Sequence, residues 1–286
     1  LGLLIGRILQ CPPVRGDYHH STRNKIRINA VLKTDHLNVE MFEKFAPRPG
    51  ERALLPELTS KAQVALMCRM LYAEGWDDHI AGHITVRQAD GTILTNPWEL
   101  TWDEVTASEI VTLDDQGNIL DSNWNTTPAI GLHLQLHEAR SDINVVIHNH
   151  PKWSGIWANL QETPPIYDQA GAYCGSELPI YNEYLGTFEN KATSLTAVEA
   201  LGDAKWALLA HHGALVVGRD LRQAHLRAAT LEWRCRRAYE VRLAGGAEPL
   251  VEDVIQQVSL PDPNGFPFLW EAMARRELRR DPNVLN

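Results

Sequence analysis

Ile143-Asn144-Val145-Val146-Ile147-His148-Asn149-His150-Pro151 is the stretch that decides the fold. Residues 143–147 are apolar and β-branched enough to predict a buried strand. Side chains at i and i+2 of a strand share a face, so His148 and His150 leave it on the same side. Two imidazoles at that spacing suit one metal ion, which needs convergent nitrogens at about 2.0–2.1 Å. Pro151 ends the strand and puts the pair at a sheet margin. A second unit has the same design: the apolar run Trp206-Ala207-Leu208-Leu209-Ala210 runs into His211-His212-Gly213. One of those two histidines is expected to supply a third ligand.

Outward from these units, the chain alternates helical and strand patterns. Thr59 or Ser60 caps a predicted helix from Lys61 to about Glu74, stopped by Gly75. Gly82–Arg87 and Thr92–Thr95 read as a hairpin around Asp90-Gly91. Pro128 opens a helix from Ala129 to about Ala139 that carries His133 and His137 one turn apart. Further helices are expected near Pro151–Asn159, over Ser194–Ala200 after a loop at Gly186–Asn190, and from Leu221 to Leu243. A second strand is read over Ala207–His212 and a third over Ala214–Val217. The tail from Pro261 is punctuated by proline, with one short helix near Trp270–Arg280. The pattern predicts an N-terminal extension over 1–52, one α/β domain over 53–246 and a C-terminal tail over 247–286. Met41 is the first methionine, and we take it as the native start, with the preceding residues an irregular extension. Pro47 to Gly50 form a linker into the domain.

Composition bounds the function. At 286 residues, with 44% hydrophobic and 22% charged residues, the chain is an ordinary globular protein. A formal charge of −9 argues against a nucleic-acid partner, because phosphate binding needs a basic face. No apolar run approaches the roughly 20 residues of a membrane span. Cys11, Cys68, Cys174 and Cys235 are scattered without metal or disulfide spacing, which fits a reducing cytoplasm.

Four segments together resemble the class II aldolase/adducin family: Gly82–Arg87 with its hairpin, Asn144–His150, Pro165-Ile166-Tyr167, and His211-His212-Gly213 before the long helix. The resemblance covers roughly 53–246. It implies a three-layer α/β/α fold with a central, mostly antiparallel sheet, and a homotetramer with each site near a subunit interface. It implies that His148, His150 and His212 hold one divalent ion (zinc, manganese or iron), leaving His211 a packing role. It also implies that Tyr167 donates a proton to the leaving fragment and that His83, in the segment bordering the site, orients a substrate carboxylate. His133 and His137 are assigned to packing, Asp77-Asp78-His79 to a solvated turn with a proton relay as the alternative, and Trp233, Arg234, Arg236 and Arg237 to solvent or subunit contacts.

The departures from that family bear on the reaction. Its sugar-phosphate aldolases keep a basic glutamate nineteen residues before the first metal histidine; here that position is Ala129. Their phosphate-holding turns are replaced by Asn96-Pro97-Trp98 and Thr127-Pro128, and proline and tryptophan do not let backbone amides approach an anion. Retro-aldol cleavage needs a placed base, whereas the first step of decarboxylation does not. The family resemblance extends to decarboxylases of hydroxylated aromatic acids, which suits a site lined by Trp98, Trp102 and Tyr167. The expectation is therefore a metal-dependent carbon–carbon lyase, decarboxylase before aldolase, acting on a small non-phosphorylated hydroxy, oxo or aromatic carboxylate. A non-haem iron oxygenase and a non-catalytic adducin-like interaction module are the alternatives.

Overall fold

The computed structural model describes residues 54–183, 191–259, 266 and 268–286. The N-terminal extension, the linker at 47–50 and the loop at 186–190 lie outside the described residues. Seven strands form one sheet: β1 (His83–Arg87), β2 (Ile93–Thr95), β3 (Val111–Leu113), β4 (Val145–Asn149), β5 (Ile180–Tyr181), β6 (Trp206–Leu209) and β7 (Gly213–Gly218), in the order β3-β2-β1-β4-β7-β6-β5. All neighbours pair antiparallel except β5 and β6. The strand that decided the fold lies at the centre. It pairs with β1 on one side (His83 opposite His148) and with β7 on the other (Leu215 opposite His148).

Period-two alternation divides the core into layers. Val145 and Ile147 of β4, Ala214 and Val216 of β7, and Trp206 and Leu208 of β6 enter the larger cluster. That face is covered by α1 (Ser60–Ala73), α3 (Lys152–Leu160), α6 (Leu221–Leu243) and α8 (Leu269–Arg280). Val146, Ala207, Leu209, Leu215 and Val217 point the other way, against Leu132 and Leu136 of α2 (Ile130–Ala139) and Ala197 and Leu201 of α5 (Lys191–Leu201). Helices on both faces of a mostly antiparallel sheet make the three-layer α/β/α arrangement that the family resemblance implies. His148 shares the Val146 face, so the site lies on the α2 side.

The helix boundaries follow from caps. Thr59 accepts the amide of Ala62 at 3.1 Å to start α1, and Asp220 accepts that of Gln223 at 2.9 Å to start α6. Two elements differ from expectation. The second histidine pair does not leave the end of a strand: β6 stops at Leu209, and Ala210-His211-His212 make the tight turn into β7. His211 takes φ 58° there, a left-handed conformation that histidine adopts more readily than most side chains. The C-terminal segment also holds a helix over Glu252–Val258 (α7), which its weak periodicity hid; only Ile255 of that helix is deeply buried. Arg234 is not a surface residue either. It is buried, and its guanidinium donates to the carbonyls of Pro164 and Ser176 at 2.9 and 3.1 Å, tying two loops to α6. No described helix is long and apolar enough to cross a membrane.

Candidate metal centre

β4 delivers His148 from within the strand and His150 just past its end, while the β6–β7 turn delivers His212 beside them. One nitrogen from each lies within 4.8 Å of the others, and these three are the group of His, Cys, Asp or Glu among the described residues able to share an ion. The rings crowd together, with centroids 4.7–5.0 Å apart. Gly213 permits this approach. A Cβ at that position would run into the carbonyl oxygen of Asn149 and meet His150 Cδ2 at 2.8 Å. The turn and the strand end could not both stay in place with any larger residue there.

The outward nitrogens of His148 and His150 are anchored, which turns the other nitrogen of each inward. His148 Nδ1–H donates to the carbonyl of Ala214 at 3.0 Å. His150 Nδ1–H donates to the carboxylate of Asp78 at 2.6 Å. Each bond fixes a tautomer and leaves Nε2 with its lone pair, the form in which imidazole ligates a metal. Burial pushes Asp78 up, but hydrogen bonds from His79 and His150 outweigh it and hold the carboxyl below its ordinary value. It is therefore an ionised acceptor for His150. Asp78 is placed by Asn149, whose side chain points away from the histidines. Its amide donates to the carbonyl of Trp76 at 2.9 Å, clipping the Trp76–His79 turn to β4, and its Oδ1 accepts the amide of His150 at 2.7 Å.

Burial holds His148 well below the ordinary imidazole pKa, with His83, His212 and His150 adding to the effect. His212 is pushed down to about 4 by burial and by His150. Both are neutral at pH 7 and ready to ligate. His150 Nε2 is buried with no hydrogen-bond partner, a state that costs free energy unless something occupies its lone pair. Neutral imidazoles at His148 and His212, the anchored second nitrogens of His148 and His150, and a buried Nε2 on His150 without a hydrogen-bond partner together fit a divalent ion. Three protein ligands would leave a position open on a four-coordinate ion, the arrangement found in catalytic sites, whereas structural sites are closed by protein ligands.

A second set of histidines lies directly behind. The β1 alternation turns His83 and Thr85 toward α2, where His133 and His137 sit one turn apart. His83 Nδ1 lies 2.6 Å from His133 Nε2, and Thr85 Oγ1 lies 2.8 Å from His133 Nδ1 and 2.9 Å from His137 Nε2. The His83 ring is 4.8 Å from that of His148, so the two sets touch. Burial, with the neighbouring His133, His150 and His212, keeps His83 neutral.

Tyr167 is half-buried against the larger core cluster, just before the short helix α4 (Gln169–Ala172) that Asp168 caps. Trp98 is exposed, with its amide bonded to the carbonyl of Asn125. Trp102 does not line an open site: it is fully buried, and its indole donates to the carbonyl of Gly82 at 3.1 Å. Ala129 caps α2 and packs against the smaller cluster. His211 faces solvent and accepts from the Gln161 amide at 2.9 Å.

Sequence reasoning missed Asp78, Asn149 and Glu232. Buried Glu232 on α6 accepts the amides of Trp153 and Ser154 at 3.1 and 2.7 Å, capping α3, which Pro151 cannot do, and so fixing the chain just beyond His150. The first two lie beside expected site residues, in Asp77-Asp78-His79 and in His-Asn-His. Nothing local marks Glu232, eighty-odd residues away from His150.

Comparison with known proteins agrees with this fold. Residues 62–239 match the family model described as class II aldolase and adducin N-terminal domain. The 3,4-dihydroxyphthalate decarboxylase of Arthrobacter keyseri is 29% identical over 234 residues, covering 77% of this chain and 93% of its own. The 4-hydroxy-3-prenylphenylpyruvate oxygenase/4-hydroxy-3-prenylbenzoate synthase of Streptomyces roseochromogenus subsp. oscitans is 27% identical over 200 residues, covering 68% of this chain and 72% of its own. Among solved structures, L-fuculose 1-phosphate aldolase from Glaciozyma antarctica superposes with a TM-score of 0.71, covering 82% of this chain and 97% of its own; at 19% identity this likeness concerns the fold. The chain belongs to the class II aldolase and adducin family.

Proposed function

We propose that the chain is a divalent-metal-dependent carbon–carbon lyase that decarboxylates a small, non-phosphorylated hydroxy, oxo or aromatic carboxylate. The observation that carries this reading is the composition of the cluster: three imidazoles, with no Asp or Glu joining them among the described residues. By sequence count Ala129 stands where the sugar-phosphate aldolases keep their base. The near-complete coverage of a hydroxylated aromatic acid decarboxylase supports the same choice.

In this reading His148, His150 and His212 hold zinc, manganese or iron, and Asp78 keeps His150 in its ligating tautomer. The bound ion supplies Lewis acidity toward a carboxylate and its neighbouring oxygen. His83, next to His148, takes the substrate carboxylate. Trp98 contributes an aromatic wall, and Tyr167 donates the proton that replaces carbon dioxide. As the family resemblance implies, we assign the chain to a homotetramer whose sites lie near subunit boundaries. Buried thiols at Cys68 and Cys235 suit a cytoplasmic enzyme.

The Streptomyces relative favours a second reading, an iron oxygenase on the same ligands. The test is metal analysis of protein purified without added metal, followed by an anaerobic screen of hydroxy, oxo and aromatic carboxylates, 3,4-dihydroxyphthalate included, for carbon dioxide release. About one ion per chain and anaerobic release are expected. Product that forms only with oxygen moves the oxygenase reading into first place. Turnover of sugar phosphates with kcat/KM on the order of 10⁴ M⁻¹s⁻¹ overturns the choice of a non-phosphorylated substrate. Metal-free, inactive protein favours an adducin-like interaction module.

A further inference from the structure

The buried set behind the metal centre has a direction. We propose that His137, Thr85 and His133 form a one-way hydrogen-bond chain that locks His83 as the Nε2–H tautomer, so that it presents an N–H donor beside His148. The tautomer follows from the hydrogen-bond geometry and burial of the chain; the use of that donor toward a substrate oxygen rests on the lyase reading.

All four side chains are buried, and burial keeps the two α2 imidazoles neutral: His133 falls well below its ordinary pKa, with help from His137 and His148, and His137 falls to about 4, with help from Arg87. Each ring therefore carries one N–H and one lone pair. Thr85 has one proton and two imidazole contacts. If both imidazoles donated to it, its hydroxyl proton would be buried with no acceptor. So one imidazole donates to Thr85 and Thr85 donates to the other, which leaves two arrangements.

In the first, His137 Nε2–H donates to Thr85, Thr85 donates to His133 Nδ1, and His133 Nε2–H donates to His83 Nδ1, leaving the proton of His83 on Nε2. In the second, every bond is reversed. They differ at the far end, where His137 Nδ1 is buried with no partner. The first arrangement leaves a lone pair there and the second an N–H. Orphaned buried N–H groups are rarer in folded proteins than under-used acceptors. Arg87, whose guanidinium donates to the carbonyl of His137 at 2.6 Å, also puts positive charge near that ring and favours the lone pair. The first arrangement is selected. His133, Thr85 and His137 are then positioning residues that act through His83.

The test is long-range ¹H–¹⁵N correlation spectroscopy on full-length, zinc-loaded protein with ¹⁵N-labelled histidine, which separates N–H from lone-pair imidazole nitrogens; signals are assigned by single substitutions. We expect a lone-pair Nδ1 and a protonated Nε2 for His83, and a lone-pair Nδ1 for His137. Thr85→Val keeps the shape but removes the link, so the His83 nitrogens should move toward tautomer averaging, while Thr85→Ser should keep the wild-type pattern. His137→Phe removes the first donor and should act like Thr85→Val. A protonated Nδ1 on His83 in the wild type, or an unchanged His83 pattern in either link-breaking variant, overturns the proposal; the wild-type spectrum decides even if a variant fails to fold. On a substrate from the carbon dioxide screen, Thr85→Val should lower kcat about tenfold with KM little changed. A correct tautomer with no carboxylate turned over sinks the lyase reading alone; turnover with the opposite tautomer sinks the lock alone.

Discussion

The molecule carries two sets of buried histidines side by side and puts the same side chain to opposite uses. In His148, His150 and His212 the bonds that are resolved, to Ala214 and Asp78, hold outward nitrogens, and the inward ones converge. In His83, His133 and His137 the nitrogens are bonded to one another and to Thr85. Burial is the main cause that keeps His148 and His212 of the first set, and all three histidines of the second, neutral. What separates a ligand set from an orienting chain is therefore where the second partner sits. A carbonyl or carboxylate outside the cluster leaves a lone pair inside it, whereas a hydroxyl inside the cluster uses the lone pairs up.

The largest effect expected from breaking this division is loss of a ligand. His150→Ala, or the same change at His148 or His212, should remove most bound metal and activity, while His211→Ala should remove little, because His211 faces Gln161 and solvent. Metal content after gel filtration checks this. Stoichiometric metal in His150→Ala, or equal loss in His211→Ala, would mean the wrong set was identified.

Gly213→Ala should come next. It leaves every ligand in the sequence but drives a methyl group into the Asn149 carbonyl and the His150 ring. Overpacking of this kind costs about 1–3 kcal/mol, and here the strain falls on the ligand-bearing backbone, so metal affinity should drop together with the urea midpoint. Wild-type affinity in a folded variant would show that the turn can shift without disturbing the site.

Asp78→Asn should weaken metal binding by about 10–100-fold while leaving stability nearly unchanged, the usual size of such an orienting contact. Competition with a chelator of known affinity measures it. An unchanged affinity would reduce the Asp78–His150 contact to a surface ion pair.

How much of this was legible depends on how far apart in the chain the cause lies. The strand with its two histidines, the capped helices at Ser60 and Leu221 and the hairpin at Asp90-Gly91 are local patterns, and each is present within a residue or two. The third histidine could be narrowed only to a pair, because a β-turn conformation, not composition, decides whether His211 or His212 faces the strand end. His133 and His137 read as packing residues, since polar residues on a helix give no sign of meeting Thr85 across a sheet. Asp78 read as a solvated turn because the clip holding it, Asn149 to Trp76, joins residues seventy-odd positions apart. The site partners that were missed are long-range ones, and no periodicity encodes them.

The last predicted effect concerns acid stability, and it probes the inner set by its titration. An imidazole whose folded pKa lies below its unfolded value binds fewer protons folded than unfolded across the interval between them, so stability falls as pH falls. For His137 that interval runs from about 6.5 in the unfolded chain to about 4 in the native one. Above it both states are neutral and below it both are charged, so the slope is confined to the interval. The groups around His137 (neutral His133, Thr85 and the Arg87 guanidinium) include no carboxylate among its bonded neighbours to reverse the sign. Urea unfolding of chelator-treated protein should therefore show stability declining between pH 6.5 and 4, with His137 contributing at most about 1.4 kcal/mol per pH unit. His137→Phe removes that contribution but leaves those of His133, His148 and His212. Its stability relative to wild type should thus improve steadily as pH is lowered through the interval, whatever its standing at pH 7. A wild-type-minus-variant difference that stays constant from pH 7 to 4.5 would show that His137 is not held neutral. The inner set would then lose the fixed proton count on which its direction depends.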